Sequence, residues 1–281
     1  MTRRLGYLPA LLVTTGLFGA GLLLAAVQSL GGLPVTGEAD WSVAAYRAVF
    51  RSHFFWSALG MSAWIAGAGT LAAAALGTLA ALVLWRLRAG TILRFLFAWN
   101  LPVPHVVGAW ITLLLFSQSG LWSRLAHAAG VTRTPADFPA LVNDPLAVGV
   151  LLELAWKEVP FVGLAVLAAL TRFDRRLLDV ARSLGASRWV VFWRVVLPAV
   201  QPALVSASLL VFTFAFSSFE VPYLLGPTSP ATLPVLAYRA FSDPDLTARP
   251  MAMALCVVIA GLAGLVVLAW ALLSLRGRGR P

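Results

Sequence analysis

Charge, thiols and lysine are all scarce in this chain. Only 11% of its 281 residues are charged. The one cysteine, Cys256, lies in an apolar run, so no disulfide can form within the chain. The one lysine, Lys157, also lies in an apolar run. No Gly-rich loop ending in Lys-Ser or Lys-Thr is present, so the chain cannot supply the lysine of a nucleotide-binding loop. His53, His105 and His127 are widely separated, with neither metal-ligand spacing nor a cysteine cluster, which argues against a metal site. No serine sits in a Gly-x-Ser-x-Gly elbow, so hydrolysis has no recognisable nucleophile. Catalytic residues are therefore expected to be none. No internal repeat, low-complexity stretch or soluble catalytic domain stands out.

What the chain has in abundance is apolar sequence. Sixty per cent of it is hydrophobic and its mean hydropathy is +0.88. A soluble protein of this length needs more polar surface, whereas lipid solvates apolar side chains directly. Crossing about 30 Å of hydrocarbon takes about 20 apolar residues. Six such runs are predicted as transmembrane helices, at 8–30, 55–84, 93–117, 146–170, 201–225 and 251–275. The fold class is thus an all-α membrane protein with six spans. The first run follows Arg3-Arg4 and is longer than the roughly 7–15 residues of a signal-peptide core, so it reads as an uncleaved first helix. The net charge of +10 does not imply nucleic acid, because the arginines fall between the apolar runs.

Their placement sets an orientation. With the N-terminus in the cytoplasm, fourteen arginines fall on cytoplasmic segments, among them Arg3, Arg4, Arg86, Arg88, Arg94 and Arg280, and six fall outside. Excess Lys and Arg near span ends marks the cytoplasmic side. Both termini are then cytoplasmic, as an even number of spans requires. Three polar stretches face outward: 31–53 with Glu38 and Asp40, 118–144, and 227–250.

The cytoplasmic segment 171–200 is patterned rather than loose. Phe173, Leu177, Ala181 and Leu184 recur at helical spacing with arginines between them. Gly185 stops that helix and Ser187 caps a second short one carrying Trp189, Phe192 and Trp193. Pro198 and Pro202 then mark the start of the fifth span. Two uses fit this pair of amphipathic helices: lying on lipid headgroups, or docking a cytoplasmic partner.

Asp179-Val180-Ala181, then Gly185, then Val195-Val196-Leu197-Pro198 resembles the EAA loop of binding-protein-dependent ABC transporter permeases, which reads Glu-Ala-Ala, three residues, Gly, nine residues, Ile-x-Leu-Pro. Every spacing matches; Asp replaces Glu, Val the first Ala, and Val the Ile. Trp156-Lys157-Glu158-Val159-Pro160-Phe161, Leu101-Pro102-Val103-Pro104 and Ser218-Phe219-Glu220-Val221-Pro222 are similar to family stretches as well. The resemblance implies a MetI-like transmembrane domain over 55–275, an N-terminal helix and outer loop over 1–54, and a cytoplasmic tail over 276–281. It implies a multi-pass protein of the bacterial inner membrane that couples to a separate ATPase dimer through Asp179, Ala181, Gly185, Ala186, Leu197 and Pro198. It also implies a second permease subunit, an extracytoplasmic binding protein, and ATP held by the partner rather than by this chain.

Charges inside the spans need a reason. Glu153 and Lys157 are four residues apart on one face and are expected to pair. Glu158 points about 100° away from Lys157 and is left for the cavity or a subunit interface. Glu220, near the outer end of the fifth span, is either a solvated helix end or a pore carboxylate. Trp156 and Tyr223 could stack a cation. The carboxylates outnumber the lysine, and Leu184-Gly185-Ala186 is similar to the polyamine, thiamine and ferric-iron branch, with the last two spans resembling the spermidine/putrescine type. A polyamine-like or other small cation is the expected substrate. The rival class is a stand-alone secondary transporter or channel, with Glu158 as its coupling carboxylate.

Overall fold

The computed structural model describes residues 8–32 and 40–278, with no side-chain detail at 8, 10 and 273–278. Arg3, Arg4, Glu38 and Arg280, used above for orientation and loop polarity, lie outside the described residues, as does the end of the predicted tail. Among the described residues every regular element is a helix.

The described residues fall into two compact units: those of Met1–Met61 with Pro230–Pro281, and those of Ser62–Ser229. In the first unit, α1 (Leu8–Ser29), α2 (Ala44–Arg51) and α12 (Leu233–Phe241) all pack on α13 (Arg249–Arg278). Ser29 and Tyr46 share a hydroxyl hydrogen bond of 2.7 Å, which ties α1 to α2. The Arg249 guanidinium lies 4.2 Å above the Phe241 ring. Leu12, Leu17, Phe18 and Leu23 of α1 stay exposed, as do Leu265 and Leu268 of α13. An apolar helix face that no protein covers is matched to lipid.

The second unit takes most of α3 (His53–Arg86), then α4 (Thr91–Ala98), α5 (His105–Phe116), α6 (Leu121–Ala128), α7 (Val148–Thr171), α8 (Arg176–Ser183), α9 (Arg188–Val191), α10 (Leu197–Ser217) and α11 (Glu220–Leu225). Helix α7 is its axis, with α4, α5, α10 and α11 packed around it. Helix α3 approaches α7 closely at Gly77 and Gly163: a Cβ at Gly77 would lie 2.9 Å from the Val159 carbonyl oxygen, and one at Gly163 would lie 3.2 Å from the Gly77 carbonyl oxygen and 2.7 Å from the Phe97 ring of α4.

Among the described residues five helical segments are long and apolar enough to cross a membrane: Leu11–Ser29, His53–Arg86, His105–Ala128, Arg188–Ser217 and Leu246–Leu272. Helix α7 has 24 residues, about 36 Å at 1.5 Å per residue, and half of them are buried.

Two predicted spans need correction. The run at 93–117 is not one helix: α4 ends at Ala98, the chain turns through 99–104, and α5 begins at His105. Pro102 and Pro104 lack N–H groups and push Leu101 and Val103 away from helical angles. The run at 201–225 is also broken, with Ser218 extended at ψ 134° between α10 and α11. Pro222 lacks the N–H that would have bonded the Ser218 carbonyl. At its other end the fifth span starts earlier than Pro198. Helix α9 runs on through a π-helical stretch, Phe192–Val196, directly into α10, giving one continuous segment from Arg188 to Ser217. The second amphipathic helix is therefore not a separate piece. Pro198 cannot donate to Arg194, and the wider π turn, in which the Leu197 N–H reaches Phe192, absorbs that missing bond without ending the helix.

Candidate substrate pathway and coupling hairpin

Pro160 sits inside α7 and cannot donate to the Trp156 carbonyl four residues earlier. The Asn100 side-chain amide, in the 99–104 turn, donates to that oxygen instead. The turn has orphan acceptors of its own, because α4 has just ended and two prolines follow. Lys157 satisfies them: Nζ donates to the carbonyls of Asn100 at 2.9 Å, Leu101 at 3.1 Å and Val103 at 2.5 Å. An ammonium group has three N–H bonds and each finds an oxygen. Its charge also faces the negative end of α4. Non-helical backbone at membrane depth is tolerated where protein buries it in this way.

The expected Glu153–Lys157 pair is thus overturned. Lys157 turns toward the broken helix, and Glu153 turns toward α5, where its Oε1 lies 3.1 Å from His105 Nδ1. Glu158 Oε1 lies 3.5 Å from His105 Nε2. The small size of Gly108 on α5 makes room for this, since a Cβ there would fall 2.7 Å from Glu153 Oε1. His105, Lys157 and Glu158 then line a cavity of about 370 Å³ whose remaining wall is Leu101, Phe161, Leu210, Val211 and Phe214. The cavity lies between α7, the 99–104 turn and α10.

Of the four pathway residues picked from sequence, only Glu158 reaches this cavity. Trp156 is half-buried and packs edge-to-face on Trp99 at 6.0 Å. Glu220 is exposed in the first turn of α11. Tyr223 is half-exposed with its ring 5.1 Å from Phe219. His105 and Asn100 were missed. The clue to Asn100 lay in the prolines: Pro102, Pro104 and Pro160 orphan carbonyls whose donors had to be found. Nothing in the spacing pointed from position 105 to positions 153 and 158.

The 171–200 segment forms a hairpin at the surface. Gly185 has φ +80°, which L side chains rarely adopt. Its N–H donates to Arg182 O at 2.9 Å and the Ala186 N–H donates to Ala181 O at 3.1 Å, the paired bonds of a Schellman C-cap. Ser187 caps α9 through Val190 N–H at 3.4 Å. Leu178, Ala181, Ala186 and Leu197 pack against a buried cluster that includes Leu84, Leu170 and Val191. Arg175 fixes the hairpin base, donating to Trp85 O at 2.9 Å with its guanidinium 4.5 Å above the Trp85 ring. Asp179 is exposed beside Arg182 at 3.6 Å. The tip is apolar and uncovered: Leu184 is 83% exposed and Trp189 69%.

A bundle of long apolar helices with a broken helix, a charged cavity beside it and an exposed apolar hairpin defines a class, that of multi-pass membrane proteins with a polar site among their helices. The chain belongs to the family of binding-protein-dependent transport system inner membrane components, whose model matches residues 56–278. It is 31% identical over 268 residues to the putrescine transport system permease protein PotI of Escherichia coli (strain K12), covering 94% of this chain and 89% of that one. It is 29% identical over 268 residues to the molybdenum transport system permease protein ModB of Mycobacterium tuberculosis, covering 93% and 91%. In fold it matches a bacterial ABC transporter involved in import of the acidic polysaccharide alginate, with a TM-score of 0.75 at 18% identity over 98% of this chain and 94% of the other. The chain is a permease subunit of a bacterial ABC importer with the MetI-like fold, a multi-pass inner-membrane protein and not itself an enzyme. The stand-alone transporter or channel reading gives way to this membership.

Proposed function

We propose that this chain lines the import pathway for a polyamine-like or other small organic cation. The observation that carries this is the cavity beside α7, where Glu158 stands in an otherwise apolar wall and the only lysine is already bound to three backbone carbonyls. Lys157 lines the same cavity, but its N–H groups are spent on the turn and it forms no ion pair with Glu158, which leaves that carboxylate able to attract a cation. Apolar walls formed by Leu101, Phe161, Leu210 and Phe214 suit a methylene chain. The likeness to a putrescine permease supports the same reading, although ModB shows that related chains serve other cargo. Trp156, Glu220 and Tyr223 belong to other stretches of the pathway or its rim.

In this reading six helices span the membrane with both termini cytoplasmic, α7 being the sixth beside the five apolar segments. Residues 55–275 form the transmembrane domain, which the family match over 56–278 supports, after an N-terminal helix and outer loop over 1–54 and before a tail over 276–281. An ATPase dimer that binds ATP grips the hairpin built on Asp179, Ala181, Gly185, Ala186, Leu197 and Pro198. Because α9 continues without a break into α10, movement of the hairpin tip is carried to the cavity wall at Leu210 and Phe214. A second permease subunit, homologous or identical, completes the pathway, and an extracytoplasmic binding protein delivers the cation.

The test is reconstitution with the ATPase, second permease and binding protein of its importer. Putrescine-dependent stimulation of ATP hydrolysis is expected, and it is expected to fall at least about tenfold in Glu158→Gln. Stimulation by molybdate or sulfate and none by diamines would reject the cation.

A further inference from the structure

Two carboxylates and one ammonium meet around α7, and their charges do not cancel. Glu153 is 0% exposed and its Oε2 has no hydrogen-bond partner. Lys157 is committed to the 99–104 turn. With both carboxylates ionised one negative charge is left over, and an uncompensated buried charge is costly. His105 stands where a balancing cation is needed, with Nδ1 3.1 Å from Glu153 and Nε2 3.5 Å from Glu158. A neutral imidazole carries one N–H and can donate to one of these carboxylates; an imidazolium donates to both. Both ring nitrogens thus face carboxylates, and Lys157 lines the same cavity. Helix α10 faces it with Phe214, whose ring lies 4.5 Å away. On α6, Arg124 and His127 bond the carbonyls of Ser119 and Thr132. On α11, Glu220 and Tyr223 do not line the cavity. Among the described residues no three His, Cys, Asp or Glu side chains are placed to share a metal ion.

We propose that His105 is a resident counter-ion: protonated, it occupies Glu158 in the empty pathway, and an ammonium group of the transported cation takes its place. As the ammonium binds Glu158, the imidazolium releases its Nε2 proton to water in the cavity and keeps its Nδ1–H on Glu153. The ammonium that binds Glu158 brings one positive charge and the released proton removes one, so the charge balance at the two carboxylates is kept, while a diamine's second ammonium lies beyond them. Import through this site is then opposed by protons, because acid stabilises the form of His105 that holds the substrate's place. The inference rests on the cationic-substrate reading above.

The experiment uses the assembled importer in proteoliposomes with its binding protein, equal pH on both sides, and putrescine as the probe. Wild-type uptake is expected to be about threefold or more higher near pH 8 than near pH 6. His105→Gln keeps a neutral donor but cannot become a cation, so the ratio of the two rates is expected to fall to about one. His105→Asn serves if the first variant does not assemble. The same pH ratio in variant and wild type overturns the inference, as does wild-type uptake independent of pH. Absence of putrescine uptake at either pH overturns the cation reading itself, and the counter-ion role falls with it.

Discussion

Asn100 and Lys157 tie the 99–104 turn to α7 reciprocally: Lys157 Nζ donates to the Asn100 carbonyl at 2.9 Å, and the Asn100 side chain donates to the carbonyl of Trp156, the residue before Lys157. The break between α4 and α5 and the proline in α7 are therefore one feature. Each supplies what the other lacks, and together they place His105 and Glu158 on the cavity wall.

Replacing Lys157 by Met keeps the length of the side chain and removes all three donors. The Leu101 and Val103 carbonyls then lose their donor, the Asn100 carbonyl keeps only the Val103 N–H at 3.0 Å, and the carboxylate cluster loses its only lysine. Destabilisation of about 3 kcal/mol or more is expected, read as a lower melting temperature of the detergent-purified subunit complex. An unchanged melting temperature would mean that Lys157 does not clamp the turn.

The Asn100–Trp156 bond exists because Pro160 leaves the Trp156 oxygen free. Asn100→Ala is expected to cost about 1–3 kcal/mol in the native background. In a Pro160→Ala background the backbone regains an N–H at that position, which can bond the Trp156 oxygen within the helix, so the cost of Asn100→Ala should shrink. A double-mutant cycle measures the difference. Equal costs in both backgrounds would separate the two residues.

At Gly108 an added methyl would lie 2.7 Å from Glu153 Oε1 and 3.1 Å from the Trp156 ring. Gly108→Ala should displace Glu153 from His105 and cost about 1–3 kcal/mol by overpacking. Gly60→Ala, in a helix with nothing within 4 Å, is the control and should be neutral or slightly stabilising. Thermal melts of the two variants make the comparison, and equal behaviour would refute the close contact.

Gly185→Val places a β-branched residue at φ +80°. The Schellman cap opens and the tip carrying Leu184 is no longer held. Membrane insertion is expected to persist, since Gly185 lies outside every apolar run, while co-purification of the ATPase falls at least about tenfold. Retention of the ATPase at wild-type levels would remove the hairpin from the coupling role.

Much of this architecture was legible in the chain. Span positions came from hydrophobic length, which the bilayer imposes directly. The hairpin came from helical spacing on either side of a glycine, and its capping bonds are local, so Ala181, Gly185 and Ala186 could be placed together. The errors cluster at prolines. Pro198 lacks an N–H yet ends nothing, because a π turn takes up the mismatch, whereas the prolines at 102 and 104 do end a helix. The choice depends on whether a neighbouring side chain is there to receive the freed carbonyls.

By itself the sequence determined that this is a lipid-embedded helical chain with a patterned two-helix hairpin, because composition, run length and local spacing act over a few helical turns. Tertiary structure alone decided the partners of the buried charges. Glu153 and Lys157 lie one turn apart in α7 and local rules pair them, but Lys157 meets the turn at 99–104 and Glu153 meets His105. At membrane depth a charge goes to whichever neighbour satisfies it most completely, and that neighbour is fixed by how the helices pack.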